Sequence, residues 1–376
     1  MGDNPKNNRM LDTLTSFRFF AAVLVFIFHV GILTKYQTGY LGVSFFFILS
    51  GFILAYSYSH KITSLSHLEL KKFYIARLAK IYPIHILTFL LAIPYYFLIP
   101  LKHDPILYVF QAFTNILLVQ SFIPFGNISF NGVSWSLSDE LFFYALFPFF
   151  TVISIKCLKS IKWKLIFSFS LWLAIVVLIS NVFFENNDFN TWFTYYFPVI
   201  RIGEFIVGLM SGLVFLEIKN NFSKFSSTFY SFVEIIAIIL LLIIVIISPN
   251  FIQNLRYGLI YTPFLAFLIF VFSFQKGFIS KLISRRIFIY LGEISFSFYM
   301  IHNLVLSYIY FLWKPNIEAH LLITGCFIIT LILSSILYHF FEEPMRYKVK
   351  NSLSKIKFRH FKEKGEKAVG FTIIIK

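Results

Sequence analysis

Arg18 to His29 reads RFFAAVLVFIFH, two ionisable residues around ten that no water-facing helix would carry. At 3.6 residues per turn and 1.5 Å per residue, eleven steps return both side chains to one helix face roughly 16 Å apart. The stretch therefore reads as a helix at membrane depth with a cation and an imidazole on one stripe. Titratable groups inside a bilayer are costly and normally face a bundle interior or a polar cavity, so the pair is a candidate functional site. An imidazole held there has the chemistry of a general base.

The rest of the chain repeats the apolar theme. Of 376 residues, 58% are hydrophobic, 21% aromatic and 13% charged, and apolar runs recur about every 25 to 35 residues. That pattern predicts an all-α integral membrane protein. The formal net charge of +16 sits in short basic clusters between apolar runs instead of one basic patch, so it reads as membrane topology and not as nucleic-acid binding. The two cysteines, Cys157 and Cys326, belong to no CxxC or CxxxH pattern, which argues against a disulfide scaffold or a zinc site and leaves no metal centre expected. The first apolar run lacks a small-residue cleavage site and is followed at once by another, so it reads as an uncleaved helix.

Ten spans are predicted, near 14–33, 40–59, 81–100, 139–155, 165–183, 193–216, 232–248, 257–275, 287–312 and 321–340. With the N-terminus inside, 28 of the 33 Lys and Arg fall on the cytoplasmic side, and both termini are then cytoplasmic. A crossing at 106–123 would spoil that bias, so this run is expected to be re-entrant or interfacial on the outer side. Ser66 and Glu69 form a capping-box pattern that opens an interfacial helix through Lys80, expected to end where Pro83 starts the next span. Residues 1–347 are expected to form one transmembrane domain and 348–376 a basic cytoplasmic tail, with no fused soluble domain.

Several constellations carry potential chemistry. Arg77 and Lys80 share a helix face at the cytoplasmic mouth of a span. GVSWSLSDELFFY, residues 132–144, places Trp135, Ser136, Ser138, Asp139 and Glu140 at the outer membrane edge, with Ser136 as the expected helix cap. Arg201 and Glu204 are one turn apart and are expected to pair, and Gly208 and Gly212 form a small-residue face suited to close helix approach. Glu293 and His302 share a later span but, nine residues apart, lie on nearly opposite faces; Glu342 and Arg346 close the last span around Pro344. No phosphate loop, nucleophile elbow, HExxH or dinucleotide fingerprint occurs.

Taken in order, LDTLTSFRFFAAVLVFIFH, GVSFFFILSGFIL, RLAKIYP, SWSLSDELFFY, LGEISFSFYMIH and FFEEPMR resemble the membrane-bound acyltransferase-3 family, over about residues 10–347. The resemblance implies about ten membrane helices in a bacterial cytoplasmic membrane. It implies an acyltransferase that moves an acyl group, commonly acetyl, from cytoplasmic acyl-CoA to an extracytoplasmic glycan or lipid-linked glycan hydroxyl. Acyl-CoA would be a co-substrate, with no permanently bound cofactor, and membrane lipid the surrounding partner. By motif, the resemblance implies that His29 corresponds to the essential histidine, Arg18 to the arginine eleven residues before it, Arg77 and Lys80 to the paired basic motif, Glu140 to the acidic residue of the tryptophan-serine-leucine motif, and Glu342 to the acid before the final proline. Lys80 departs from the usual arginine, keeping a point charge without the bidentate fork; Asp139–Glu140 stands where two glutamates are usual.

These readings give His29 and Glu140 as the catalytic pair, with Glu140 orienting the imidazole or the acceptor. Arg18, Arg77 and Lys80 bind the donor phosphates, and Trp135, Ser136 and Ser138 are candidate oxyanion or acceptor contacts. Arg201, Glu204, Glu293, His302 and Glu342 take structural or accessory places. The alternative is a multi-pass transporter or flippase in which Arg201, Glu204 and His29 line a pathway.

Overall fold

The computed structural model describes residues 11–62, 65–98, 105–124, 126, 128–222, 224–312, 318–355, 357–360 and 371–374. Lys6, Arg9, Lys102 and Lys314, which enter the charge argument, lie outside them, as does most of the tail beyond Lys355. In chain order the helices are α1 (Asp12–His29), α2 (Thr38–Tyr58), α3 (His67–Leu98), α4 (Pro105–Ile116), α5 (Trp135–Cys157), α6 (Ile161–Val182), α7 (Asp188–Thr191) and α8 (Pro198–Phe222). They continue with α9 (Ser227–Ile247), α10 (Gln253–Arg256), α11 (Thr262–Phe272), α12 (Phe278–Ile283), α13 (Arg286–Leu312), α14 (Ala319–Leu337) and α15 (Glu343–Lys355). Two short antiparallel strands, Lys357–His360 and Phe371–Ile374, lie beyond α15.

Among the described residues, nine helices are long and apolar enough to cross a membrane. The tenth expected span, 257–275, is instead a turn around Gly258 followed by α11, eleven residues long. Most of α11 is buried against its neighbours, where irregular backbone beside it keeps protein partners. The doubtful run 106–123 yields α4, twelve residues long, or about 18 Å, well short of a bilayer core.

The expected break at Pro83 does not occur. Ser66 does cap the helix, accepting from Glu69 N–H at 3.4 Å, but α3 then runs unbroken for 32 residues through Pro83 and Pro94. Proline removes one donor and clashes with the preceding turn, yet a helix packed among others absorbs that defect. Arg77 and Lys80 therefore ride on a rigid rod. The α5 cap also differs: the helix begins at Trp135 with Ser134 in the cap position and no side-chain cap bond.

Between helices in lipid there is little hydrophobic drive, so close van der Waals approach holds the bundle together. The α2–α8 seam shows how. A Cβ on Gly51 would meet the carbonyl of Phe205, and one on Gly208 would meet the carbonyl of Ile48; at Gly212 it would come within 2.8 Å of Ala55 Cβ. The small-residue face read from Gly208 and Gly212 is thus the surface on which α2 lies. The membrane-length segments containing α2 and α8 are each 78% buried, against 6% for α6, whose apolar surface faces outward. Likewise a Cβ on Gly292 of α13 would meet the Thr15 carbonyl of α1, so α1 and α13 lie backbone against backbone.

Two π-helical turns interrupt this regularity, Trp192–Tyr196 between α7 and α8 and Tyr338–Glu342 between α14 and α15. A π turn carries an extra residue and shifts the helix register, often at functional sites. The first ends at Phe197, which is extended at φ −74°, ψ 120° as the residue before Pro198 prefers. It turns Tyr195 and Tyr196 inward.

Candidate active site

Two cavities lie end to end inside the bundle. One is lined by Arg18 of α1, Ser50 of α2, Arg77 and Lys80 of α3, and Glu140 and Tyr144 of α5. The other is lined by His29 of α1, Tyr40 of α2, Trp135 of α5, Tyr195 and Tyr196, and Asn303 of α13. Val43 and Tyr299 line both, so they form a shared wall. The Arg18–His29 stripe of α1 spans from one cavity to the other. Their volumes are about 160 and 250 Å³.

The first cavity is cationic with open donors. Lys80 lies within electrostatic range of Glu140, Arg18, Arg77 and Arg346. Arg77 donates to Tyr58 Oη at 3.1 Å, and its guanidinium stacks over the Tyr58 ring at 5.2 Å and the Tyr144 ring at 5.7 Å. Stacking fixes the fork while leaving Nε buried and without a partner. Among the described residues, none of Arg18, Arg77 and Lys80 has a carboxylate within ion-pair distance. Such a cluster, contributed to one cavity by α1 and α3, can take an anion with several oxygens.

Glu140 belongs to this cavity. Tyr144 Oη donates to Glu140 Oε1 at 2.6 Å and Ser50 Oγ donates to the same oxygen at 3.1 Å. The expected partnership of Glu140 with the His29 imidazole is therefore replaced by one with Ser50, Tyr144 and the nearby Lys80. Glu342 accepts from Ser297 Oγ at 2.5 Å and lies within electrostatic range of Arg18, Lys80 and Arg346, which brings the closing FFEEPMR segment to the same end of the molecule. Glu293 faces Glu343 and His339 there without lining the cavity.

The second cavity is aromatic around one exposed imidazole. His29 Nδ1 lies 2.9 Å from His302 Nε2, and His302 Nδ1 lies 2.6 Å from the Tyr299 carbonyl oxygen. His302 is fully buried, whereas His29 presents its ring to the cavity. Tyr40, Tyr195 and Tyr257 pack edge to face and tilted, with Tyr40–Tyr195 centroids 4.4 Å apart, and Trp135 closes on Tyr195 at 4.7 Å and Tyr196 at 4.8 Å.

The residues of the 132–144 motif separate by helix face. Trp135 lines the histidine cavity and Ser136 the cationic one. Ser138 lines neither, being bonded to Ser121 Oγ at 2.6 Å. Asp139 is fully buried in range of Arg201 and Glu204. Arg201 and Glu204 do pair, at 3.2 Å, with Arg201 Nη1 donating to the Tyr257 carbonyl at 2.5 Å and its guanidinium over the Tyr195 ring at 5.3 Å. Walled in, they buttress the aromatic cavity and line neither cavity, so the pathway required by a transporter reading does not include them.

Sequence reasoning missed the tyrosine lining, Ser50 and the contact between the two histidines. Tyr144, four residues after Glu140, had a helical-spacing signal; Ser50 and His302 lie 90 and 273 residues from their partners and had none.

A family profile described as an acyltransferase domain matches residues 11–339. The acyltransferase MdmB of Streptomyces mycarofaciens is 31% identical over 227 residues, 54% of this chain and 57% of that protein. A Staphylococcus aureus (strain COL) protein provisionally named an O-acetyltransferase is 25% identical over 364 residues, 91% of this chain and 58% of that protein. Bacillus subtilis YrhL, provisionally named a peptidoglycan O-acetyltransferase, is 26% identical over 380 residues, 94% of this chain and 58% of that protein. The chain thus spans a little over half the length of these curated relatives. No solved structure gives a significant match. With six ordered motifs, a helical membrane bundle and a profile match across nearly its whole described length, the chain belongs to the acyltransferase family that this domain defines.

Proposed function

We propose that the protein is a membrane O-acyltransferase that moves an acyl group, acetyl by analogy with the relatives' names, from acyl-CoA to a hydroxyl of an extracytoplasmic glycan. The observation that carries this reading is the pair of cavities meeting at Val43 and Tyr299, one lined by cations and the other by an imidazole. The positive-inside distribution supports a cytoplasmic position for the Arg77–Lys80 end. The setting is the bacterial cytoplasmic membrane, with lipid around the bundle.

In this account the donor's phosphates engage Arg18, Arg77 and Lys80, and its thioester reaches past Tyr299 towards His29. The acceptor sugar lies among the tyrosines and Trp135, whose flat faces and hydroxyls suit a ring with apolar and hydroxylated sides. His29 takes the proton of the acceptor hydroxyl as its oxygen bonds to the thioester carbonyl carbon. Collapse of the tetrahedral intermediate breaks the carbon–sulfur bond, the acyl group stays on the sugar oxygen, and the proton leaves with the CoA thiolate. A thiolate leaves readily, so base catalysis and oxyanion stabilisation are the chemical demands.

The test is thiol release from acetyl-CoA by purified protein in proteoliposomes, with peptidoglycan fragments as the acceptor probe and mass spectrometry of the product. Acyl transfer to the glycan supports the reading; absence of both donor turnover and acyl transfer across donor chain lengths and envelope glycans overturns it.

A further inference from the structure

We propose that His302 is the positioning residue of His29, determining which nitrogen of that imidazole is free to take a proton. The inference rests on His29 acting as the base of the proposed transfer.

The bonding decides the proton positions. A carbonyl oxygen only accepts, so the 2.6 Å contact with the Tyr299 carbonyl requires a proton on His302 Nδ1. A neutral His302 then has a bare Nε2. The 2.9 Å bond to His29 is consequently donated by His29 Nδ1. A neutral His29 with its proton on Nδ1 carries its lone pair on Nε2, and the imidazole, which also has the Val25 backbone within hydrogen-bond range, is open to the cavity. The opposite tautomer would place that proton on Nε2 and leave no lone pair for the substrate.

The frame that holds this arrangement is rigid. α13 is pressed onto α1 at Gly292, whose added Cβ would meet the Thr15 carbonyl. The His302 ring stacks parallel to Phe298 at 6.3 Å and 11° and meets Phe26 at 6.3 Å. Fully buried, it reaches the cavity only through His29. When His29 Nε2 receives the hydroxyl proton, the imidazolium keeps its Nδ1–H bond to the bare His302 nitrogen, so the new charge retains an acceptor. The logic matches the orienting acid of a serine-hydrolase triad, with a neutral imidazole in the acid's place. Glu140, the orienting group anticipated from sequence, is engaged in the other cavity.

The experiment compares His302→Leu, His302→Gln and His29→Ala in proteoliposomes, with acetyl-CoA and peptidoglycan fragments as probes. The readouts are kcat, acetyl-CoA KM and thermal unfolding. Leucine removes the acceptor, and kcat is expected to fall about 10²- to 10⁴-fold while the donor KM stays within about twofold. Glutamine restores an acceptor oxygen, and kcat is expected within about tenfold of the parent protein. A leucine variant with parental kcat, a glutamine variant no better than leucine, or a joint fall in kcat, donor affinity and thermal stability overturns the positioning role. An active His29→Ala protein overturns the base reading itself; an inactive one beside an active His302→Leu overturns the positioning role alone.

Discussion

The hydroxyls of Ser136 and Tyr299 lie 2.8 Å apart beside the wall that separates the two cavities. Tyr299 Oη also lies 3.2 Å from the Val133 carbonyl, so the phenol is tied to the start of α5 at two points. The ring is thereby held across the route that a thioester would take from the cationic end to His29.

Enlarging that ring is expected to separate donor binding from transfer. Tyr299→Trp should leave acetyl-CoA affinity within about twofold while turnover drops more than about tenfold, because the obstruction lies beyond the phosphate site. Calorimetric donor titration beside a turnover assay checks this. Weaker donor binding in parallel with lost turnover would show that the ring supports the cationic cavity instead.

Arg77→Ala should raise the acetyl-CoA KM about 10- to 100-fold, the value of a charge-assisted hydrogen bond, with little change in kcat. The unpartnered Nε and the stacked guanidinium are the basis. Dephospho-CoA derivatives provide the control. If KM for the truncated donor shifts equally in parent and variant, Arg77 contacts no phosphate of the truncated region.

Arg201→Ala should act on stability before activity. Removing one member of the buried pair leaves Glu204 buried without its cation, which typically destabilises by about 3–5 kcal/mol. Arg201→Ala, Glu204→Ala and the double replacement can be compared by thermal unfolding in detergent. The double variant is expected to be more stable than either single one.

Gly208→Leu should abolish folding, since even its Cβ would run into the Ile48 carbonyl at the α2–α8 seam. Monodisperse elution of the purified variant would contradict that packing. Gly325→Leu, on α14 with no atom near its Cβ position, serves as the tolerated control.

What was legible in the sequence was what is local along one helix. Apolar run length located the long helices, an eleven-residue spacing joined Arg18 to His29 along one face, a three-residue spacing paired Arg201 with Glu204, and Gly208 with Gly212 marked a seam. What was hidden depended on which helices touch. Glu140 finds Ser50 and Tyr144, and His29 finds His302, because α1, α2, α5 and α13 converge, and no periodicity in any one of them encodes that convergence. Pro83 misled for a related reason: its local preference to start a helix is overridden by the packing of α3 against α13, α15 and α5. The π turns at Trp192–Tyr196 and Tyr338–Glu342 insert register shifts that apolar patterning does not reveal.

The central claim is that His29 accepts the hydroxyl proton at the far end of a path that begins at Arg18. Its most direct measurement is the kcat of purified, folded His29→Ala in proteoliposomes, with acetyl-CoA KM determined on the same preparation. The account predicts a fall in kcat of about 10²- to 10⁴-fold, the range of general base catalysis, with donor KM unchanged. Acyl transfer to the glycan at the parental rate would contradict it.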